Sequence, residues 1–308
     1  MPQTDEDFSP RRYRVRHTTA YTYAGADVDA CYERGMLSPR STSYQRLETN
    51  TITIVPPPDL HTTHQDFFGN ESHYVEVRTP HRRLEVSQDF VVAVDRTPPS
   101  RAQLDGWTLV DAAALLSPGA DNPEANRTTR SLYLLPSEMV GTHPEVLDYA
   151  RSLTHPGQSV GEAIEAITCG INDDFTFEKG VTSVETTLPE LLTLRAGVCQ
   201  DFTHLALGCL RALGLPARYV SGYIETIPPP GKPKLEGTDA SHAWAAVLLP
   251  DGSWVETDPT NRQFVDSRYV VTAWGRDFAD VSPLKGVIYT EASSSHLDVS
   301  VDVVRLPD

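Results

Sequence analysis

The chain has 308 residues, 39% of them hydrophobic and 22% charged, enough apolar material for a sizeable core, which excludes a disordered tail. Lys and Arg number 26 against 42 Asp and Glu, a formal net charge of −16, and this excess argues against a general nucleic-acid or anionic-membrane surface. At about 150 residues per domain, the length predicts roughly two domains.

The first residues, Met1 to Phe8, are acidic where a signal peptide would be basic, and no apolar run follows them. The sequence therefore predicts neither export by the usual route nor a membrane span, and a cytoplasmic location. Four cysteines, Cys31, Cys169, Cys199 and Cys209, lack CxxC spacing, which reads as free thiols in a reducing compartment and not as a disulfide scaffold or cysteine zinc site. From about residue 12 to 94, short alternating runs such as Tyr13, Val15, His17, Thr19, Tyr21 and Tyr23 read as half-buried strands. Further strands are predicted at 51–55, 74–78 and 90–94, giving a small antiparallel β domain over residues 1–115. His61, His64 and His73 fall in a turn-rich stretch without a regular ligand pattern, and no metal site is predicted.

Proline and glycine clusters then break any periodicity, and 116–141 reads as a linker with short elements. Helical signals follow. Thr142 with Glu145, Ser159 with Glu162, and Thr187 with Glu190 have capping-box spacing, and Val160, Ala163, Ile164 and Ile167 fall on one helical face. In 197–216, Phe202, Leu205, Ala206, Cys209, Leu210 and Leu213 keep helical spacing until Gly214 and Pro216 stop the helix, which places Cys199 in its first turn. Strands are predicted at 218–224, 242–248 and 254–258, so residues 142–290 read as one core of helices and strands. A C-terminal strand takes 291–308, and the fold class is α+β.

A cysteine at a helix N-terminus meets unsatisfied backbone N–H groups and the positive end of the dipole, which favour the thiolate and can hold a developing oxyanion. A base and an orienting acid are still required. His242 opens a strand and Asp258 closes the next strand of the same hairpin. For the two to share a face, the loop must hold an odd number of residues, predicted as 248–252 centred on Pro250, whereas a two-residue Asp251-Gly252 turn would put Asp258 on the wrong face. Cys31, Cys169 and Cys209 read as buried small hydrophobes. His204 points off the face of Cys199 and reads as structural or surface.

The run from Leu194 through Gly197-Val198-Cys199-Gln200-Asp201-Phe202 to Leu213-Gly214-Leu215-Pro216 resembles the core of the bacterial transglutaminase-like superfamily. The likeness continues at Ser241-His242-Ala243-Trp244, at Asp258-Pro259-Thr260-Asn261 and at Gly275-Arg276-Asp277-Phe278. The N-terminal strands, with Asp66-Phe67-Phe68-Gly69-Asn70, look like the β domain that precedes this core in many bacterial members. The resemblance implies a papain-like fold, with the cysteine helix packed on an antiparallel sheet. It implies Cys199 as nucleophile, His242 as general base then acid, and Asp258 as the group that orients the imidazole. Animal transglutaminases carry a tryptophan upstream of the cysteine as second oxyanion donor. The nearest here is the distant Trp107, and Asn172 is the substitute candidate. Gln200 and Trp244 complete the candidate substrate or oxyanion contacts. No calcium-binding carboxylate loop is visible, so a cofactor-free enzyme is expected, acting on a peptide or protein substrate. Three readings stay open: a cysteine peptidase or amidase with water as acceptor, a protein-glutamine transglutaminase with an amine as acceptor, and a binding module that keeps the fold without catalysis. The Pro-rich stretch from Thr226 to Pro233 is a candidate rim of the cleft or a plain solvated connection.

Overall fold

Alternation of apolar and polar side chains decides the N-terminal half. In β1 (Arg11–Ala24), Tyr13, Val15, His17 and Thr19 are buried while Arg12, Arg14 and Arg16 face solvent, the period of two that the sequence predicts. Five more strands follow: β2 (Val28–Gly35), β3 (Gln45–Val55), β4 (Leu60–Gln65), β5 (Glu71–Val77) and β6 (Arg83–Val94). The computed structural model describes residues 8–226 and 241–307, so most of the proline-rich stretch, from residue 227 on, lies outside the described residues.

The remaining elements are α1 (Arg101–Leu104), α2 (Leu109–Leu116), α3 (Arg127–Leu134), α4 (Pro144–Leu153), α5 (Val160–Asp174), β7 (Thr176–Phe177), α6 (Leu188–Leu194), β8 (Ala196–Gly197) and α7 (Cys199–Ala212). They continue with β9 (Ala217–Ile224), β10 (Ser241–Leu248), β11 (Trp254–Asp258), β12 (Gln263–Phe264), β13 (Tyr269–Gly275), α8 (Phe278–Val281), β14 (Lys285–Thr290) and β15 (Ser294–Arg305). Two four-stranded sheets, ordered β15-β1-β6-β3 and β14-β2-β5-β4, bury Tyr23, Cys31, Ile54, Val75, Leu84 and Val86 between them. A five-stranded antiparallel sheet, β12-β11-β10-β9-β13, carries α7 on one face, where Leu205, Cys209 and Leu210 join Tyr219, Ala245 and Val247 in one apolar core. The α+β class and the Cys199 helix on an antiparallel sheet are both present.

The boundaries read from sequence move in two places. Leu104, Leu109, Ala112 and Leu116 pack with Ile164 and Ile167, and so do Tyr149 and Val140. Residues from about 101 therefore belong with the helical core, and neither the β domain to 115 nor the linker 116–141 stands as predicted. The predicted C-terminal strand is β15, paired with β1 over Tyr13↔Arg305 to Ala24↔Ser294, but β14, read as part of the catalytic core, instead pairs with β2. β14 is largely exposed, and which distant strand it joins is decided by tertiary pairing that no local pattern carries.

The β region is fastened to the five-stranded sheet. Tyr13, Val15, Phe90 and Val301 pack on Tyr223 and Val270, Gln45 exchanges hydrogen bonds with the backbone of Val271, and Asn70 with that of Trp274. Arg40 and Arg218 each stack on the Trp274 ring, at 3.6 and 3.8 Å from its centroid. Among the described residues, no helix is long and apolar enough to cross a membrane.

Candidate active site

The chain enters α7 through a tight passage. A Cβ at Gly197 would lie 2.7 Å from the Asp201 carboxylate, so only glycine fits there. Asp201, in the third helical position, accepts the N–H of Val198 at 2.8 Å and the hydroxyl of Thr182 at 2.7 Å, closing the helix start without a capping side chain at Val198. Cys199 is the first helical residue and half-buried. The backbone N–H groups of Cys199 and Gln200 are among those that an α-helix leaves without an internal acceptor, next to the Cys199 sulfur.

His242 and Asp258 come from the β10–β11 hairpin, whose register pairs Ala245 with Thr257 and Leu248 with Trp254. The loop has an odd number of residues, as predicted, but is centred on Asp251 and not on Pro250. Leu249 donates to Ser253 and Gly252 to Leu249 across it, and Gly252, at φ +81°, takes the left-handed conformation. The same register continued places Asp258 opposite Trp244. His242, two residues earlier, keeps the same face and reaches Asp258 diagonally. Across the other strand, His242 lies opposite Gly222, where a Cβ would fall 1.9 Å from the Val270 carbonyl.

His242 Nε2 donates to Asp258 Oδ2 at 2.6 Å, and a side-chain hydrogen bond links His242 to Cys199, for which Nδ1 is the ring nitrogen left. Burial opposes charge on the imidazole, but Asp258 first and Cys199 second outweigh it, and the His242 pKa is raised to about 10. Asp258 is fully buried. Burial works against its charge too, but His242, Asn261 and Tyr269 hold its pKa below the ordinary carboxylate value. Its Oδ1 accepts the backbone N–H groups of Thr260 and Asn261, and its Oδ2 accepts Asn261 Nδ2 at 2.7 Å and the Tyr269 hydroxyl at 2.7 Å. The Cys199 sulfur, the His242 imidazole and the Asp258 carboxylate thus stand in line at the N-terminus of a helix, an arrangement suited to acyl transfer.

The other predicted contacts lie elsewhere. Asn172 Nδ2 donates to the carbonyls of Pro259 at 3.3 Å and Thr260 at 2.8 Å. Its amide is thereby spent on bracing the loop behind Asp258, and the structure does not support it as second oxyanion donor. Trp244 is fully buried and its Nε1 donates to Glu256 Oε2 at 2.6 Å, so it packs behind His242 and does not face substrate. Gln200 sits beside Cys199 in the first turn, half-buried. Cys31 and Cys209 are buried, as predicted, and burial raises the Cys31 pKa to about 11 and that of Cys209 further. Cys169 is only half-buried.

His204 is structural and not on the surface. Its Nε2 accepts the Phe278 N–H at 3.2 Å, its ring packs on Tyr219, and burial lowers its pKa to about 4. His61 and His73 share a hydrogen bond at 3.0 Å. No group of three or more His, Cys, Asp or Glu among the described residues is placed to hold a metal ion. The Ser159–Glu162 capping box forms, and Glu190 accepts both N–H and hydroxyl of Thr187. Thr142 instead stays outside its helix, which starts at Pro144 after His143. Sequence reasoning missed Tyr269 and Glu256. Asn261 stood inside a motif already singled out, whereas nothing local marks Tyr269, because its partner is eleven residues back on another strand.

Residues 13–93 match the bacterial transglutaminase-like N-terminal region and residues 147–259 the transglutaminase-like superfamily. An uncharacterized protein of Mycobacterium tuberculosis is 43% identical over 301 residues, covering 95% of this chain and 92% of its own. A solved structure from Cytophaga hutchinsonii, described as a candidate cysteine protease, has 20% identity and a TM-score of 0.70, covering 95% of this chain and 91% of its own, a likeness of fold. A protein-glutamine gamma-glutamyltransferase of Pseudomonas aeruginosa is 31% identical over 87 residues, 28% of this chain and 13% of that protein. With the fold and both regions matched in chain order, the chain belongs to the transglutaminase-like superfamily, with that family's bacterial N-terminal region ahead of the core.

Proposed function

We propose that this protein is a cysteine-dependent acyl-transfer enzyme that hydrolyses peptide or isopeptide amides through a thioester on Cys199. The observation that carries the reading is the His242 Nε2 to Asp258 Oδ2 hydrogen bond of 2.6 Å, with the other side of the imidazole bonded to Cys199. The thiolate attacks the amide carbonyl carbon and forms a C–S bond. The carbonyl oxygen, now an oxyanion, is met by the N–H groups of the first turn of α7. The His242 imidazolium gives its proton to the amine nitrogen as the C–N bond breaks, leaving a thioester and a neutral imidazole. Neutral His242 then takes a proton from water. The hydroxide attacks the thioester, the C–S bond breaks and the thiolate–imidazolium pair is restored as the acid leaves.

No step in this cycle calls for a metal or cofactor, and the partner is the peptide or protein substrate. A cytoplasmic site of action fits the four cysteines, all unpaired, as a reducing compartment keeps them. A second reading, with a primary amine replacing water, is favoured by the 87-residue likeness to the Pseudomonas transferase. The test is an amide and isopeptide panel run in parallel with incorporation of a labelled primary amine into glutamine-bearing protein, for wild type and Cys199→Ala. Cys199-dependent release of amine in water supports hydrolysis, and Cys199-dependent labelling supports transfer. Neither activity above the Cys199→Ala background overturns both readings in favour of a binding module.

A further inference from the structure

We infer that Tyr269 is a positioning residue of this site, holding Asp258 from across the sheet and drawing charge off the carboxylate oxygen that faces His242. The inference rests on the Cys199–His242–Asp258 reading and names a fourth member. Three donors share Asp258 Oδ2: His242 Nε2, Asn261 Nδ2 and the Tyr269 hydroxyl. Asn261 lies three residues from Asp258 in the same loop and travels with it. Tyr269 opens β13, the edge strand opposite β12, so its hydroxyl ties the carboxylate to the far side of the sheet. Its ring crosses the face that His242 occupies, 5.1 Å from Trp244 and 6.1 Å from His242 between centroids. The residue is fully buried, so no water competes for the hydroxyl.

The direction of the hydroxyl proton follows from its neighbours. Arg268 can only donate, and its guanidinium bonds Gln263 Oε1 at 3.0 Å, which fixes the oxygen end of that amide. The amide nitrogen of Gln263 therefore faces Tyr269 and donates to its oxygen. The one proton of the Tyr269 hydroxyl is then directed at Asp258. Arg268 is itself held by Asp266 at 2.6 Å. From Arg268 through Gln263 and Tyr269 each group thus donates to the next, ending on Asp258, and the Tyr269 bond is charge-assisted. A carboxylate relieved of part of its charge pulls less on the imidazolium, which keeps the imidazolium acidic enough to protonate a leaving amine.

The ionisable groups facing His242 are Cys199 from α7, Asp258 from β11 and Tyr269 from β13. Beyond them stand Glu256 of β11, bound to Trp244, and Asp266 and Arg268 ahead of β13. The test titrates the His242 ring by NMR in the full-length protein, assigned against His242→Ala, in wild type, Tyr269→Phe and Gln263→Leu, with circular dichroism to check folding. In Tyr269→Phe the His242 titration moves up by about half a pH unit or more, the part of one charge-assisted hydrogen bond that passes to the imidazole. In Gln263→Leu, which leaves the tyrosine but weakens it as a donor, it moves the same way by less. A purely structural tyrosine would lower the melting temperature without moving the titration. An unmoved or lowered His242 titration in the folded variants overturns the inference, and Gln263→Leu decides it alone if Tyr269→Phe does not fold. Failure of the underlying reading is distinguishable: His242 would then titrate near 6.5 in wild type and would not respond to Cys199→Ala.

Discussion

Two regions of the molecule bury carboxylates and treat them in opposite ways. On β11, Asp258 accepts five hydrogen bonds, and Glu256 accepts Trp244 Nε1 and Tyr44 Oη and pairs with Arg96 at 2.8 Å and Arg218 at 3.9 Å. Burial works against the charge of both, yet these partners keep both pKa values below the ordinary range. In the N-terminal sandwich, Glu33 on β2 is equally buried, at 3% exposed, but its Oε2 has no hydrogen-bond partner. Burial raises its pKa to about 7. The difference teaches that burial alone fixes nothing about ionisation. The five-stranded sheet is built to keep charge, and the sandwich tolerates a carboxyl group that is protonated over much of the acidic range.

The contrast can be broken at three points, from largest effect to smallest. Asp258→Asn keeps the shape of the site but removes the charge that holds the imidazolium, and turnover in the amide or amine assay is expected to fall on the order of 10⁴-fold. A drop under tenfold would mean that Asp258 is only a structural acceptor. Glu256→Ala strips the partner from Arg96, Arg218 and Trp244 in a closed environment, and urea unfolding should show a loss of about 3–5 kcal/mol. A loss under about 1 kcal/mol would remove the distinction between the regions.

Glu33→Gln acts in the other direction. With a folded pKa of about 7 against an unfolded value near 4.3, the folded state binds the extra proton between those values. Wild-type stability therefore falls as pH rises from about 4.3 to 7 and levels off above. The variant should equal wild type near pH 4 and exceed it by up to about 4 kcal/mol at pH 8, read by thermal unfolding at both pH values. A difference that does not change with pH would place the Glu33 effect in packing.

Local chemistry made the pieces of the candidate site legible in the sequence. Gly214 and Pro216 stop α7, the apolar spacing sets its buried face, and these together put Cys199 in the first turn. The period of two along a strand then made His242 and Asp258 a question of loop parity, which came out odd with its centre displaced by one residue, from Pro250 to Asp251. The N-terminal strands were legible where polar and apolar residues alternate, as in β1. β4 was not, because all six of its residues are exposed and carry no burial pattern.

What the sequence left hidden is long-range. Tyr269 reaches Asp258 across a sheet, Asn172 is drawn away to the loop after Asp258, and β14 pairs with a strand some 250 positions earlier. In each case side-chain type was visible and the partner was not. The α1–α3 segment was misplaced for the same reason: its proline- and glycine-rich joints read as a linker, while Leu104, Leu109 and Leu116 bury themselves against α5.

The most direct measurement is the alkylation rate of Cys31, Cys169, Cys199 and Cys209 against pH, read peptide by peptide by mass spectrometry in wild type and His242→Ala. If Cys199 and His242 form the reactive pair, Cys199 alone reacts rapidly at pH 6 to 7, well under the ~8.5 of an ordinary thiol, and loses that reactivity in His242→Ala. If Cys199 reacts no faster than the other three, or is indifferent to His242, the pair is not assembled and the chain is better understood as a binding module on a transglutaminase-like fold.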